Sequence, residues 1–175
     1  RFATIGSFAA QRASFDRSRL RLPGTWFCTY KLALRAFPDV KAHGLQSLVK
    51  YVPLDLADVS AELEGLHPHR ALFDALCTAV LLRRIAQELM PRCADVADFR
   101  QRAERVSSEP ALLARLRFGR HKQERLRDVP TDYLEWLLRE PGMDADVVFS
   151  ARHYLRLRGE QAVAALARPM PAPAL

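Results

Sequence analysis

The 175-residue sequence has only four lysines, seven glycines and three cysteines, and it contains no long apolar run. Cys28, Cys77 and Cys93 are odd in number and form no CxxC pair, which excludes a disulfide scaffold and a zinc knuckle. The longest apolar stretches, such as 75–82, fall far short of the roughly 20 residues a membrane span needs, so no membrane association is expected. The 2–10 run is flanked by a single positive charge and broken by Gly6 and Ser7, a poor match to a signal peptide. The first residue is Arg1 rather than methionine, and the chain is expected to be cytoplasmic and to lack its natural beginning. What is present, 49% hydrophobic and 27% charged residues, describes a globular protein that buries roughly 70% of its unfolded surface and needs no metal or disulfide to sustain a core.

The net charge of +7 is uneven: residues 1–50 carry +7, 51–90 carry −3, and 91–175 carry +3. Within the last part Arg115, Arg117, Arg120, Lys122, Arg125 and Arg127 face only Glu124. Two basic clusters around an acidic middle suit a polyanion such as DNA, because neutralised phosphates release counterions. The same clusters also describe a solvated surface, and composition does not separate the two.

Residues 25–29 read as a brief strand after the Pro23-Gly24 turn. Leu32, Leu34 and Phe37 predict a helix that stops before Pro38, and 44–51 predicts another, closed by Pro53. Residues 54–67 read as an acidic loop with a helical turn. From His69 onward Leu72, Ala75, Leu76, Ala79, Leu82, Ala86 and Leu89 recur at three-and-four spacing, the apolar stripe of a packed helix. Pro68 is placed in its first turn and Pro91 at its end. A more polar helix is expected over 95–106, and 107–110 is the candidate boundary. Beyond it, 115–119 alternates like an exposed strand that 124–129 pairs with, followed by helices over 130–140 and 144–158. The expected organisation is a first domain over 1–106, a small basic module over 111–160 and a disordered tail over 161–175.

Residues able to do chemistry are few. Asp16 is the only acid among the first 38 residues, and His69 and Asp74 stand at the mouth of the strongest helix. Full helix geometry would set those two about 140° apart, so a shared cleft requires His69 to lie just outside the helix. Each also has a plain structural role open to it: Asp16 as the cap of a helix starting at Arg17, Asp74 as a solvated first-turn acid, His69 as a surface histidine. Glu62 and Glu64 are spaced as an acidic pair and are assigned to a solvated loop.

Three separated motifs occur in one order: Ala13-Ser14-Phe15-Asp16-Arg17, then Pro23-Gly24-Thr25-Trp26-Phe27-Cys28-Thr29-Tyr30-Lys31-Leu32-Ala33, then His69-Arg70-Ala71-Leu72-Phe73-Asp74-Ala75. Together they resemble the back half of a DEDD-superfamily 3′→5′ exonuclease, and within it the exodeoxyribonuclease X family. The resemblance extends to a C-terminal module running from Phe118-Gly119-Arg120 through Asp128-Val129-Pro130 to Tyr133-Leu134-Glu135-Trp136-Leu137-Leu138. It implies an α/β, ribonuclease H-like fold with two divalent metals, magnesium or manganese, held by four carboxylates. Asp16 and Asp74 match two of these metal ligands, and His69 matches the histidine that activates the attacking water. Hard oxygen ligands suit such cations, and a paired cation site stabilises both the attacking and the leaving oxygen of a phosphodiester displacement.

The sequence departs from the family pattern at two points. The family's first motif, an aspartate and a glutamate on the first strand, has no counterpart in these 175 residues, so the expected fold is an N-terminally truncated, mostly helical remnant with short strands. Gln11-Arg12 also replaces the family's His-Asn before the second-motif aspartate, and a guanidinium pointing inward there would oppose a cation. The expectation is a 3′→5′ exodeoxyribonuclease by resemblance, acting on single-stranded DNA or 3′ ends and inactive as this chain, so that whether it is an enzyme stays open. The alternatives are a non-catalytic nucleic-acid-binding protein and a truncated gene product. Arg115, Arg117, Arg120, Lys122 and Arg127, beside Phe118, Tyr133 and Trp136, are the candidate nucleic-acid-binding residues of the module. The competing assignment puts Tyr133 and Trp136, three apart on a helix, in the module's core.

Overall fold

The computed structural model describes residues 6–166, and the chain divides into two compact units, one ending at Ala111 and the other starting at Leu112. The elements are β1 (Ser7–Ala10), α1 (Ser14–Leu20), β2 (Thr25–Cys28), α2 (Thr29–Ala36), α3 (Leu45–Tyr51), α4 (Ser60–Leu63), α5 (Ala71–Leu89) and α6 (Val96–Ser108) in the first unit, with α7 (Thr131–Arg139) and α8 (Ala145–Leu166) in the second. The described chain is mostly helical with short strands. No described helix is long and apolar enough to cross a membrane. Of the expected 161–175 tail, 161–166 form the end of α8, and 167–175 lie outside the described residues.

In the first unit β1 and β2 pair in parallel, Ser7 opposite Thr25 and Ala10 opposite Cys28, with α1 as the crossover. This register directs alternate backbone groups of each strand away from its partner. On β2 the outward Cys28 N–H donates to Ser107 Oγ of α6 at 2.9 Å, so a side chain covers that edge. Phe8 stacks on Trp26 across the pair, ring centroids 4.9 Å apart. The core lies among α2, α3, α5 and α6, where Leu32, Ala33, Leu48, Val52, Leu81, Ile85 and Ala103 are buried. Each large aliphatic side chain removed from water there is worth roughly 1.5–3 kcal/mol.

The sequence stripe on α5 needs correction. The buried residues are Cys77, Thr78, Val80, Leu81 and Ile85, whereas Leu72 is 56% exposed and Ala75 and Ala79 are exposed. The helix carries apolar residues on two adjacent faces, and the core takes the one with the larger β-branched and leucine side chains. Pro68 also lies outside the helix: His69 follows it at φ +67° and Arg70 is extended, so the chain turns sharply before α5 begins.

On α6 the N-terminus is closed reciprocally. Asp95 accepts from the Asp98 N–H at 2.8 Å, and Asp98 accepts from the Ala94 N–H at 2.9 Å. Asp98 also takes a 2.7 Å hydrogen bond from Arg102 Nε one turn on. That bond and the Ala94 N–H hold its carboxyl below the ordinary value of 3.8.

In the second unit the predicted pair of strands reduces to a single antiparallel bridge, Arg115 with Arg125. Gly119 at φ +70° and Gln123 at φ +71° curl the intervening segment into turns that a ladder cannot cross. Leu113, Leu116, Leu126, Val129, Leu134, Leu137, Val147 and Ala151 are buried. Ser150 Oγ, also buried, accepts from the Leu113 N–H at 2.8 Å and donates to the Asp146 carbonyl, and Arg158 binds the carbonyls of Arg127 and Val129.

Two outcomes follow from this packing. Leu81→Ala should lower the unfolding free energy by about 2–5 kcal/mol while Leu72→Ala changes it by less than about 0.5 kcal/mol, as read by urea denaturation. Asp98→Asn should be costly at neutral pH. The carboxylate's contribution is present above its unfolded value and lost as pH falls through the lower folded one, so the gap between variant and parent should close on acidification. Paired denaturation curves across the acid range measure it.

Candidate functional site

The β1–α1 turn and the sharp turn before α5 bring together two of the residues the sequence singles out. Asp16 and Asp74, both half-buried, line one cleft of about 600 Å³ with Ala9, Ala10, Gln11 and Thr78. Asp16 sits in the first turn of α1, which begins at Ser14 rather than at Arg17, so it is a helix residue and not a cap. Asp74 sits in the first turn of α5. Its Oδ1 accepts a 2.9 Å hydrogen bond from Gln46 Nε2 of α3 and a longer 3.4 Å one from the His69 N–H. These bonds fix the direction in which the carboxylate faces.

α5 supplies most of the remaining cleft wall, through Ala71, Ala75, Ala79 and Leu82, with Leu45 of α3 completing it. The small side chains keep that wall low beside the acids.

Gln11 and Arg12 separate in the structure. Gln11 is locked: Thr29 Oγ1 donates to its Oε1 at 2.7 Å, and its Nε2 donates to the His43 carbonyl at 2.8 Å. Arg12, at φ +60°, turns away and lays its guanidinium 4.8 Å over the Tyr30 ring. The cleft lining therefore contains no basic side chain, and the inward guanidinium considered from the sequence is not found.

His69 lies outside α5, as a shared cleft with Asp74 requires, and it is exposed. Its backbone touches Asp74, while its ring is not part of the cleft lining. Glu62 and Glu64 are exposed at α4 and stand apart from the cleft. Beneath Asp74 the Cys77 thiol is pushed up by burial and then by the Asp74 charge.

The donor set suits a hard divalent cation in kind, two carboxylates in a cleft free of bases. It is not a full coordination shell: among the described residues no three His, Cys, Asp or Glu side chains come together. Gln46 gave no signal in the sequence, because a lone amide in a short helix has no spacing partner that reveals what it binds, and Gln11 stood out only as a departure from the family pattern, not as a residue that positions the turn.

Exodeoxyribonuclease 10 of Escherichia coli strain K12 is 33% identical over 153 residues, 85% of this chain and 64% of that protein. The protein of the same name from E. coli O6:H1 matches to the same extent. The chain thus spans somewhat under two thirds of the length of these relatives. A solved structure of exonuclease X in complex with 5′ overhanging duplex DNA aligns with a TM-score of 0.46 and 32% identity, covering 58% of this chain and 55% of that one. No protein-family model matches the chain.

The left-handed backbone at His69 gives a stability outcome. For a residue with a Cβ this conformation costs roughly 1–2 kcal/mol, and glycine adopts it freely. His69→Gly should therefore leave the thermal midpoint unchanged or raised, and His69→Val should lower it, as read by calorimetry.

Proposed function

We propose, for a chain that belongs to the exodeoxyribonuclease X family of DEDD exonucleases, that its first unit is part of a 3′→5′ exodeoxyribonuclease site with a ribonuclease H-like fold. The observation that carries this reading is the convergence of Asp16 and Asp74 on one cleft without an opposing base. The substrate is the 3′ end of a DNA strand.

Asp16 and Asp74 would hold divalent cations, magnesium or manganese. When bound, such a pair supplies charge stabilisation to the attacking and leaving oxygens of the phosphodiester.

The chain's own residues do the positioning. Gln46 and the His69 backbone hold the Asp74 carboxylate in place. Gln11, pinned by Thr29 and by its bond to the His43 carbonyl, keeps the turn ahead of α1 rigid so that Asp16 faces the cleft. His69 is the proton acceptor for the attacking water, since imidazole exchanges a proton near neutral pH. Its backbone N–H lies against Asp74 Oδ1.

Residues 6–166 contribute two of the four carboxylates this chemistry uses, and we propose that the 175-residue chain alone does not turn over DNA. A second reading, non-catalytic DNA binding, draws on the same shortfall of acids. DNA binding without cleavage in a protein that carries all four carboxylates would select it.

In such a complete protein, Asp16→Ala and Asp74→Ala should each reduce magnesium-dependent release of mononucleotides from a 3′-labelled strand by about a hundred- to a thousandfold, the scale on which electrostatic stabilisation is lost. His69→Gly should reduce it while leaving the fold intact. Undiminished release by the double aspartate variant contradicts the assignment.

A further inference from the structure

The second unit carries a surface that the carboxylate cleft does not explain. On α7, Leu134 and Leu137 are fully buried, while Trp136 is 41% exposed and Tyr133 half-buried. The sequence offered both pairs at the same spacing, and the core takes the leucines. The aromatic pair is therefore left on the surface, with ring centroids 5.1 Å apart.

The turn 118–122 completes the face. His121 meets Tyr133 edge-on at 4.6 Å, and Arg120 lays its guanidinium 5.2 Å from the Tyr133 ring centre. Gly119 makes this approach possible: its φ is +70°, and a Cβ there would fall on the Tyr133 hydroxyl. Arg120 is held through Nε, which donates to His121 Nε2 at 3.1 Å. Nε2 is then the acceptor nitrogen of the ring, and Nδ1–H donates to Glu124 Oε2 at 2.9 Å. Glu124, the one acid among residues 115–127, is thereby turned to His121. Arg120 remains exposed over the Tyr133 ring, and Lys122 is exposed two residues further along the turn.

Arg115 differs from these two. It is half-buried and gives Nη1 to the Gln123 carbonyl at 2.8 Å, which makes it a tie within the turn rather than a contact for a ligand.

We infer that the face formed by Trp136, Tyr133 and Arg120, with Lys122 on the same turn, binds single-stranded nucleic acid, an unpaired base stacking on Trp136 and adjacent phosphates meeting Arg120 and Lys122. Aromatic faces beside fixed cations suit bases and backbone together. Duplex bases are already stacked on one another and offer no free face to an exposed ring, so the ligand is the unpaired strand. This inference stands on different residues from the carboxylate cleft.

The test is titration of the full chain with an oligothymidine of about 20 nucleotides at low salt, followed by tryptophan emission and by anisotropy of a labelled strand. Trp26 is 8% exposed and stacked on Phe8, so the quenched emission should come from Trp136. Trp136→Ala should weaken binding about tenfold. Arg120→Ala and Lys122→Ala should each reduce the dependence of log K on log salt by about 0.7. All three side chains are exposed, and unchanged circular dichroism establishes that the variants fold. The titration is run in EDTA without divalent cation, so that binding through the carboxylate cleft does not contribute and the signal reports this face. The inference is overturned if the chain does not bind the oligonucleotide, if Trp136→Ala and Arg120→Ala bind as tightly as the parent, or if a blunt duplex competes equally.

Discussion

Two carboxylates lining one cleft whose lining holds no basic side chain form the constraint on which the rest of the first unit depends. Residues 58 positions apart in sequence share a cleft only where the backbone between them brings them there. Here two tight turns do so. One, with Arg12 in the left-handed region and Gln11 pinned between Thr29 and His43, aims α1. The other, with His69 in the left-handed region, starts α5 beside α3, where Gln46 reaches Asp74. Unfavourable backbone at both turns, next to the acids, is the pattern of a site whose geometry is maintained against local preference.

The core makes those turns affordable by fixing what they connect. The buried Leu81 and Ile85 lock α5 against α2 and α3, which leaves its adjacent small-residue face to form the cleft wall. The division of labour around one helix explains why its apolar pattern is broad. One face has large side chains and holds the fold, and the next has alanines and leaves space.

The sequence made much of the helical framework readable, because prolines and periodic leucines punctuate it at α2, α3 and α7. It did not reveal β1. Ser7–Ala10 is four residues without alternation, and its partner lies beyond an intervening helix, so no local pattern records the pairing. The face of α5 was misjudged because alanine counts as apolar whether it packs or merely leaves room. Asp16, Asp74 and His69 stood out through the order of three motifs rather than through spacing. The Gln46 amide that positions Asp74 left no trace, since a hydrogen bond across 28 residues is a property of the fold alone. On α7 two equivalent pairs competed for the interior, and only packing decided that leucines go in and aromatics out.

Manganese titration of isotopically labelled protein, followed by amide resonance broadening, tests the central claim most directly. Paramagnetic relaxation reports where the cation sits without requiring turnover. The account predicts broadening that begins at Asp16, Asp74 and their cleft neighbours Gln11 and Ala75, and that is lost in Asp16→Asn/Asp74→Asn. Broadening that begins at Glu62, Glu64 or other exposed acids, with the cleft resonances unchanged, would contradict it.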